Sequence, residues 1–317
     1  MQDRKYDVTA LGELLIDFSY YGASIKGENL YEQNAGGAPC NVLAMLAKCG
    51  KKTAFIGKVG ADMFGDMLKR TLDDVGIDSC GLSISTDVNT TLAFVQIDDK
   101  GERRFSFYRN PGADMTLNPD EVPKDIIKNC KIFHFGTLSM THETVKRATE
   151  KAIEAAKESD CLLSFDPNIR FPLWKSEKDL FESMKYGCSV CDILKISNDE
   201  LEWMTGLSNI DDGVAYIKEN FPISLILVTA GANGSYAYYK GHKAYKPAFI
   251  TDKTIDTTGA GDTFLGGCLV YILEKGLNDL TTEDLDEMLN FANKAASIVT
   301  TKKGALKIMP ERAEIIW

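Results

Sequence analysis

Short apolar runs and longer amphipathic stretches take turns along nearly the whole chain. Residues 6–12, 53–59, 131–135, 161–166, 193–196 and 224–229 are mostly apolar and short, as strands covered on both faces are. Residues 41–48, 63–75, 142–158, 262–275 and 283–301 space their apolar positions as helices do. That alternation predicts an α/β fold, a doubly wound, mostly parallel sheet flanked by helices. The rhythm breaks twice. Residues 14–33 lack helical spacing, and 91–107 alternate like a half-exposed antiparallel hairpin around Asp99-Lys100-Gly101. Both are assigned to one small β-sheet lid, with segments at about 14–33 and 88–110. No linker, repeat or low-complexity tract interrupts the 317 residues, so residues 1–317 are taken as a single domain.

Composition narrows the function classes. Apolar residues make up 44% of the chain and charged ones 26%, which excludes disorder as the main state. With 36 basic and 46 acidic side chains the net charge is −10, against a nucleic-acid or anionic-membrane partner. Glu13 and Asp17 interrupt the first apolar stretch, so no secretory signal is expected, and no run is long enough to span a membrane. Eight cysteines scattered through predicted core segments fit reduced thiols in a cytoplasm. Cys188-x-x-Cys191 has the spacing of a redox pair or half a zinc site. It lacks a second such pair and a histidine partner, which favours core packing.

In a doubly wound sheet, ligands bind beyond the carboxyl ends of the strands. The polar segments at those ends are Asp166-Pro-Asn168-Ile-Arg170, Lys195-Ile-Ser197-Asn-Asp-Glu200 and Thr229-Ala-Gly231-Ala-Asn-Gly234. A fourth, Asp256-Thr-Thr258-Gly259-Ala260-Gly261-Asp262, opens a long helix. Its small residues let backbone N–H groups converge where the helix dipole is positive, a nest for phosphoryl oxygens. Among such amides Asp262 is expected to stay ionised and to take a proton from an attacking alcohol. The same residues would also suit a plain turn with a helix-capping aspartate. A dinucleotide fingerprint fails because Phe264 replaces the third glycine, and no G-K-[ST] loop occurs.

Near the start, Asn34-Ala-Gly36-Gly37-Ala-Pro-Cys-Asn41 leads into a helix of small residues. It exposes backbone amides and one side-chain amide, as a polyhydroxylated ligand needs, or it forms a tight turn packed on the sheet. Asp17 lies in an otherwise apolar Leu14–Phe18 stretch. Buried, it needs donors such as sugar hydroxyls; the alternation also allows it to face solvent.

The order of these motifs resembles the ribokinase-like (PfkB-type) carbohydrate kinases. Gly12-Glu-x-x-x-Asp17, Gly36-Gly37-Ala-Pro-x-Asn41 and Gly57-x-x-Gly60-x-Asp62-x-x-Gly65 match the amino-terminal signature, and Asp256 to Asp262 the carboxy-terminal one. Phe107-Tyr-Arg109-Asn-Pro-Gly-Ala-Asp114, the Asp166 segment with Leu173-Trp174, and Lys195-x-Ser197-x-x-Glu200 with Thr205-Gly206 are similar to the fructokinase branch. The resemblance implies an ATP-dependent sugar kinase, phosphorylating a primary hydroxyl of fructose by in-line transfer. Asp262 is then the general base, and Gly259, Ala260 and Gly261 form the anion hole. Asp17, Gly36, Gly37, Asn41, Asn168 and Arg170 hold the sugar, with Arg109 reaching in from the lid. Lys195, Thr229, Gly231, Gly234, Asn293 and Ser297 bound the nucleotide. Glu200 places Mg²⁺ through water, while Asp256 and Thr258 resemble a monovalent-cation (K⁺) site. Ser197 departs from the family's asparagine at its position. Ribose, 2-keto-3-deoxygluconate or a nucleoside are the alternative substrates, and a non-catalytic sugar-binding protein is the alternative class. An exposed β lid would suit a homodimer.

Overall fold

The winding follows the apolar runs. In the computed structural model, which describes residues 4–97 and 103–316, β1 (Tyr6–Leu11) leads into the lid strands β2 (Leu15–Ala23) and β3 (Asn29–Gly36). Next come α1 (Ala38–Lys48), β4 (Thr53–Gly60), α2 (Met63–Asp74) and β5 (Ile77–Ser85). The chain returns to the lid as β6 (Leu92–Ile97) and β7 (Arg103–Tyr108). It then runs through α3 (Lys124–Lys128), β8 (Cys130–Gly136), α4 (Glu143–Lys157), β9 (Leu162–Asp166), α5 (Glu177–Val190) and β10 (Ile193–Ser197). The last third holds α6 (Asn198–Thr205), α7 (Ile210–Asn220), β11 (Leu225–Thr229), β12 (Ser235–Tyr239), β13 (His242–Lys246), α8 (Ala260–Lys275) and α9 (Thr282–Val299).

The large sheet has the order β13-β12-β11-β10-β9-β8-β1-β4-β5, parallel from β5 through β11, with the β12–β13 hairpin antiparallel at its edge. From β1 the chain builds outward through β4 and β5, then crosses back to β8 and continues through β9, β10 and β11. That reversal opens a crevice beyond the carboxyl ends of β1 and β8, where such sheets bind ligands. Alternate side chains of each strand enter different cores. Leu225 and Leu227 of β11 pack toward α1, α8 and α9, while Ile226 and Val228 pack toward α6 and α7. Each such fully buried side chain contributes about 2 kcal/mol.

Two boundaries moved. α1 begins at Ala38, not residue 41, because Pro39 fits a first helical turn. α8 begins at Ala260, which makes Asp262 its third residue. The pattern did not pick out the helices α3, α5, α6 and α7, nor the strands β5, β12 and β13. The strands β5 and β13 are the sheet's edges, β12 lies between β13 and β11, and all three lack the continuous apolar signature of central strands.

The lid is a separate four-stranded sheet, β3-β2-β6-β7. Its predicted turn at 99–101 lies outside the described residues. Asp17 stands opposite Asn34 and Ala93, and Ala93 opposite Phe107, so these four form one cross-strand row. The opposite face carries aromatic side chains: Phe18 stacks on Phe94, which meets Tyr31 and Tyr108 edge-on. Asp62, in the amino-terminal signature, caps α2 and accepts from both the backbone and the hydroxyl of Thr90. It braces the entry to the lid.

Candidate active site

The glycine-rich turn before α8 separates two cavities. One, of about 310 Å³, lies under the lid and is lined by Asp17, Gly37, Asn41, Phe107, Asn168, Arg170, Lys195 and Asp262. The other, of about 390 Å³, is lined by Thr229, Gly231, Gly234, Phe249, Asn293 and Ser297. Thr257 and Gly261 line both, so the two spaces meet at the turn. The expected sugar residues and the expected nucleotide residues therefore divide between neighbouring cavities, with Arg109, Lys195 and Gly36 as exceptions; Gly36 lines neither.

Gly259 adopts the left-handed conformation, φ 74°, at the N-cap of α8, and no side chain caps that helix. The Ala260 N–H returns to the Thr257 carbonyl, and the next residue, Gly261, lines both cavities. An uncapped helix N-terminus at such a junction is a receptor for anionic oxygens. Asp262 does not cap the helix; its Oδ2 accepts from Asn41 Nδ2 at 2.8 Å. Burial raises its pKa, and the Asn41 hydrogen bond, Lys195 and Arg170 pull it back down. Burial is the largest influence on this carboxyl, and the Asn41 side-chain amide, more than the helix amides, is what favours its charged form. Asn41 Oδ1 is buried without a hydrogen-bond partner among the described residues. Such an orphaned acceptor in a cavity wall suits a ligand hydroxyl.

Gly37 turns the chain from the lid into α1 with φ 136°, where a side chain is strained, and an added Cβ would lie 2.3 Å from the Glu13 carbonyl oxygen. Asp17 receives no hydrogen bond from the described residues, and burial pushes its pKa up to about 7, against the opposing charge of Arg170. Glu13 is a site residue that the sequence reading left out. It is buried, its Oε1 accepts from the Ala38 N–H at 2.8 Å, and burial pushes its pKa up to about 7. Its signal was a charge directly after an apolar strand.

Lys195 lies on the sugar side, not in the nucleotide cavity, because Asp166 holds its Nζ at 3.0 Å. Burial opposes charge on Lys195, yet Asp166, Glu200 and Asp262 outweigh it and raise its pKa. Burial pushes Asp166 itself up to about 7. Arg109 is a clearer correction. It is buried, gives Nε and Nη2 to Asp114, and donates further to the Thr141 hydroxyl from Nη1 and to the Leu138 carbonyl from Nη2. A guanidinium so satisfied does not reach into the cavity; Phe107, two residues earlier, lines it instead. Asn293 is likewise committed, accepting from Ser235 and donating to the carbonyls of Lys246 and Pro247 at the cavity's edge.

Glu200 and Ser197 form a capping box on α6. Ser197 is the helix cap, and Glu200 Oε2 accepts from its backbone and hydroxyl while Oε1 accepts from the Ile169 N–H. No group of three His, Cys, Asp or Glu side chains could hold a metal among the described residues. One partly solvated carboxylate fits Mg²⁺, which keeps its waters and leans on substrate phosphates. Asp256 accepts from the Thr258 N–H, and both line a small cavity with Lys303, Gly304 and Asp17.

A doubly wound sheet, a lid, and an uncapped helix N-terminus with a buried carboxylate between two cavities define a phosphotransferase with an alcohol acceptor. The chain matches the pfkB family of carbohydrate kinases over residues 5–312. It belongs to that family. It is 40% identical to Fructokinase-2 of Solanum lycopersicum over 314 residues, 98% of this chain and 94% of that protein. Fructokinase-1 of Zea mays is 39% identical over 311 residues, 98% of this chain and 96% of that protein. Among solved structures, a fructokinase with bound ATP from Xylella fastidiosa superposes with a TM-score of 0.89 at 30% identity, covering 98% of this chain and 97% of that one. A Vibrio cholerae fructokinase double mutant, in fructose-, ADP- and potassium-bound form, gives 0.87 at 28% identity, covering 99% and 98%.

Proposed function

We propose that this protein transfers the γ-phosphoryl group of ATP to a primary hydroxyl of fructose, with Asp262 as general base. The observation that carries the reading is the position of Asp262, in the sugar-side cavity and one residue beyond the glycine that lines both cavities. The curated relatives named fructokinases, and the fructose- and ADP-bound neighbour, support fructose and ATP as the pair.

The sugar sits among Asp17, Gly36, Gly37, Asn41, Asn168 and Arg170, and Asp262 accepts the proton as the hydroxyl oxygen attacks in line. The amides at Gly259 and Gly261 stabilise the charge on the transferring group, each donor worth about 3 kcal/mol, while Ala260, expected to join them, gives its N–H to the Thr257 carbonyl and shapes the turn. Lys195 adds a fixed positive charge beneath the turn: a Cβ on Gly261 would lie 3.1 Å from its Nζ. Thr229, Gly231, Gly234 and Ser297 bound the nucleotide, with Asn293 fixing the segment beside it. Glu200 would hold Mg²⁺ through water, and the ion supplies neutralisation of the phosphate charges. Full turnover in excess EDTA would exclude that role. Asp256 and Thr258 are assigned to K⁺. Exposed Tyr20, Tyr21 and Tyr108 on the lid favour a homodimer, excluded by a light-scattering mass near 35.0 kDa. Free thiols at all eight cysteines suit a cytoplasmic location.

A panel of fructose, ribose, sugar acids and nucleosides in a coupled ADP assay tests the reading, with product regiochemistry by NMR. Fructose is expected to give the highest kcat/KM; ADP release independent of every sugar overturns the assignment. Asp17→Ala is expected to lower kcat/KM for the sugar by about 10- to 100-fold, mostly through KM, as loss of a hydrogen bond to a charged acceptor does. Unchanged KM would remove Asp17 from the sugar site.

A further inference from the structure

The cysteine pair that the sequence spacing marks is not the reactive one. Cys188 and Cys191 are both buried in the core, and burial pushes the Cys188 thiol up to about 12 and Cys191 well above its ordinary value. Cys130 opens β8, and Cys161 immediately precedes β9, the neighbouring parallel strand. Ile132 stands opposite Leu162, so the two cysteines are diagonal neighbours at the amino-terminal edge of the sheet, opposite the active site. Their sulfurs lie 3.9 Å apart. The guanidinium of Arg4 donates to Cys161 Sγ at 3.0 Å and is itself held by the carbonyls of Cys130 and Ser159.

We propose that Cys130 and Cys161 form a dithiol that a hydroperoxide oxidises to a disulfide. The geometry supplies each requirement. Arg4 stabilises a thiolate on Cys161, the Cys130 thiol stands beside it, and a small rotation of two side chains closes the gap to bonding distance. The hydrogen bond from Cys130, helped by Arg4 and opposed by burial and Asp160, lowers the Cys161 thiol pKa. Cys161 is 7% exposed, which admits a small oxidant and little else. The Cys161 thiolate attacks one peroxide oxygen, the O–O bond breaks, and the departing oxygen takes a proton from water, leaving a sulfenic acid. The Cys130 sulfur then displaces hydroxide, which leaves as water with the Cys130 proton. The two sulfurs lose two electrons and the peroxide gains them.

Hydrogen peroxide is the probe, and Cys80 the internal reference, since it is exposed and burial with its Asp78 hydrogen bond raises its thiol pKa. Limited peroxide is expected to lower the free-thiol count from eight to six with a mass loss of about 2 Da, and to join the Cys130 and Cys161 peptides. Cys161 is expected to react at least tenfold faster than Cys80, and Arg4→Gln to slow it several-fold. Cys130→Ser should leave a sulfenic acid on Cys161 that dimedone traps. Oxidation of Cys80 first, or a Cys188–Cys191 link as the main product in the unmodified protein, would overturn the proposal. So would a Cys161 that passes directly to sulfinic acid with Cys130 present.

Discussion

Asp262→Asn is expected to retain sugar and ATP binding while kcat falls by about 10² or more, since an amide cannot take the hydroxyl proton. The fold should survive, because asparagine can still offer an oxygen to Asn41 Nδ2, now 2.8 Å from the carboxylate. Stability should not fall at pH 8. Asp262 has a raised pKa in the folded state, so its ionisation costs stability as pH climbs from its unfolded value through its folded one. A neutral replacement removes that cost. The same shift sets a pH profile: activity should be lost on acidification above the ordinary aspartate pKa of about 4. Asn41→Ala should move that limb to still higher pH, because it removes a hydrogen bond that favours the charged form. Near-normal turnover of Asp262→Asn, or a flat profile down to about pH 4, would remove the base assignment.

Lys195→Met is expected to cost about 3 kcal/mol of stability at pH 8, in addition to lost turnover. The lysine and Asp166 side chains are 8% and 3% exposed, so little solvent screens the pair. Removing the ammonium leaves Asp166, Asp262 and Glu200 without their common cation. The loss should grow with pH. Lys195 has a raised folded pKa, so its contribution is complete throughout the neutral range and fades only above the lysine range. Asp166 has a raised one, about 7, and below it the carboxyl escapes by taking a proton. Lys195 lowers that value, so in the variant it rises further, and above about 7 only the variant must hold a proton on Asp166 or bury an unpaired charge. Denaturant midpoints at pH 6 and pH 8 measure the difference; a loss below about 1 kcal/mol at both would show that the pair is not coupled as described.

Much of the site was legible because its pieces are short and local. Gly259 to Asp262 is one turn of chain, and Gly36 to Asn41 another, so small residues beside a carboxylate or an amide already limit the chemistry. What was misjudged depended on partners distant in the chain. In the sequence Arg109 reads as available, and in the fold Asp114, Thr141 and Leu138 hold it. Glu200 pointed to a metal, and its oxygens turn out also to hold Ile169 and the start of α6. Lys195 was grouped with the nucleotide, but its partner Asp166 draws it to the other cavity.

By itself the sequence determined the central strands, the long helices between them and the two glycine turns, because burial period and backbone freedom are local properties. The tertiary structure alone decided which groups meet. Asn41 and Asp262 are 221 residues apart and share a hydrogen bond, and Cys130 finds Cys161 across a strand pair, not across a C-x-x-C. Contact of that kind depends on register and helix packing summed over the whole chain. So does the ionisation of the carboxylates, since burial is a property of the folded surroundings and not of the residue.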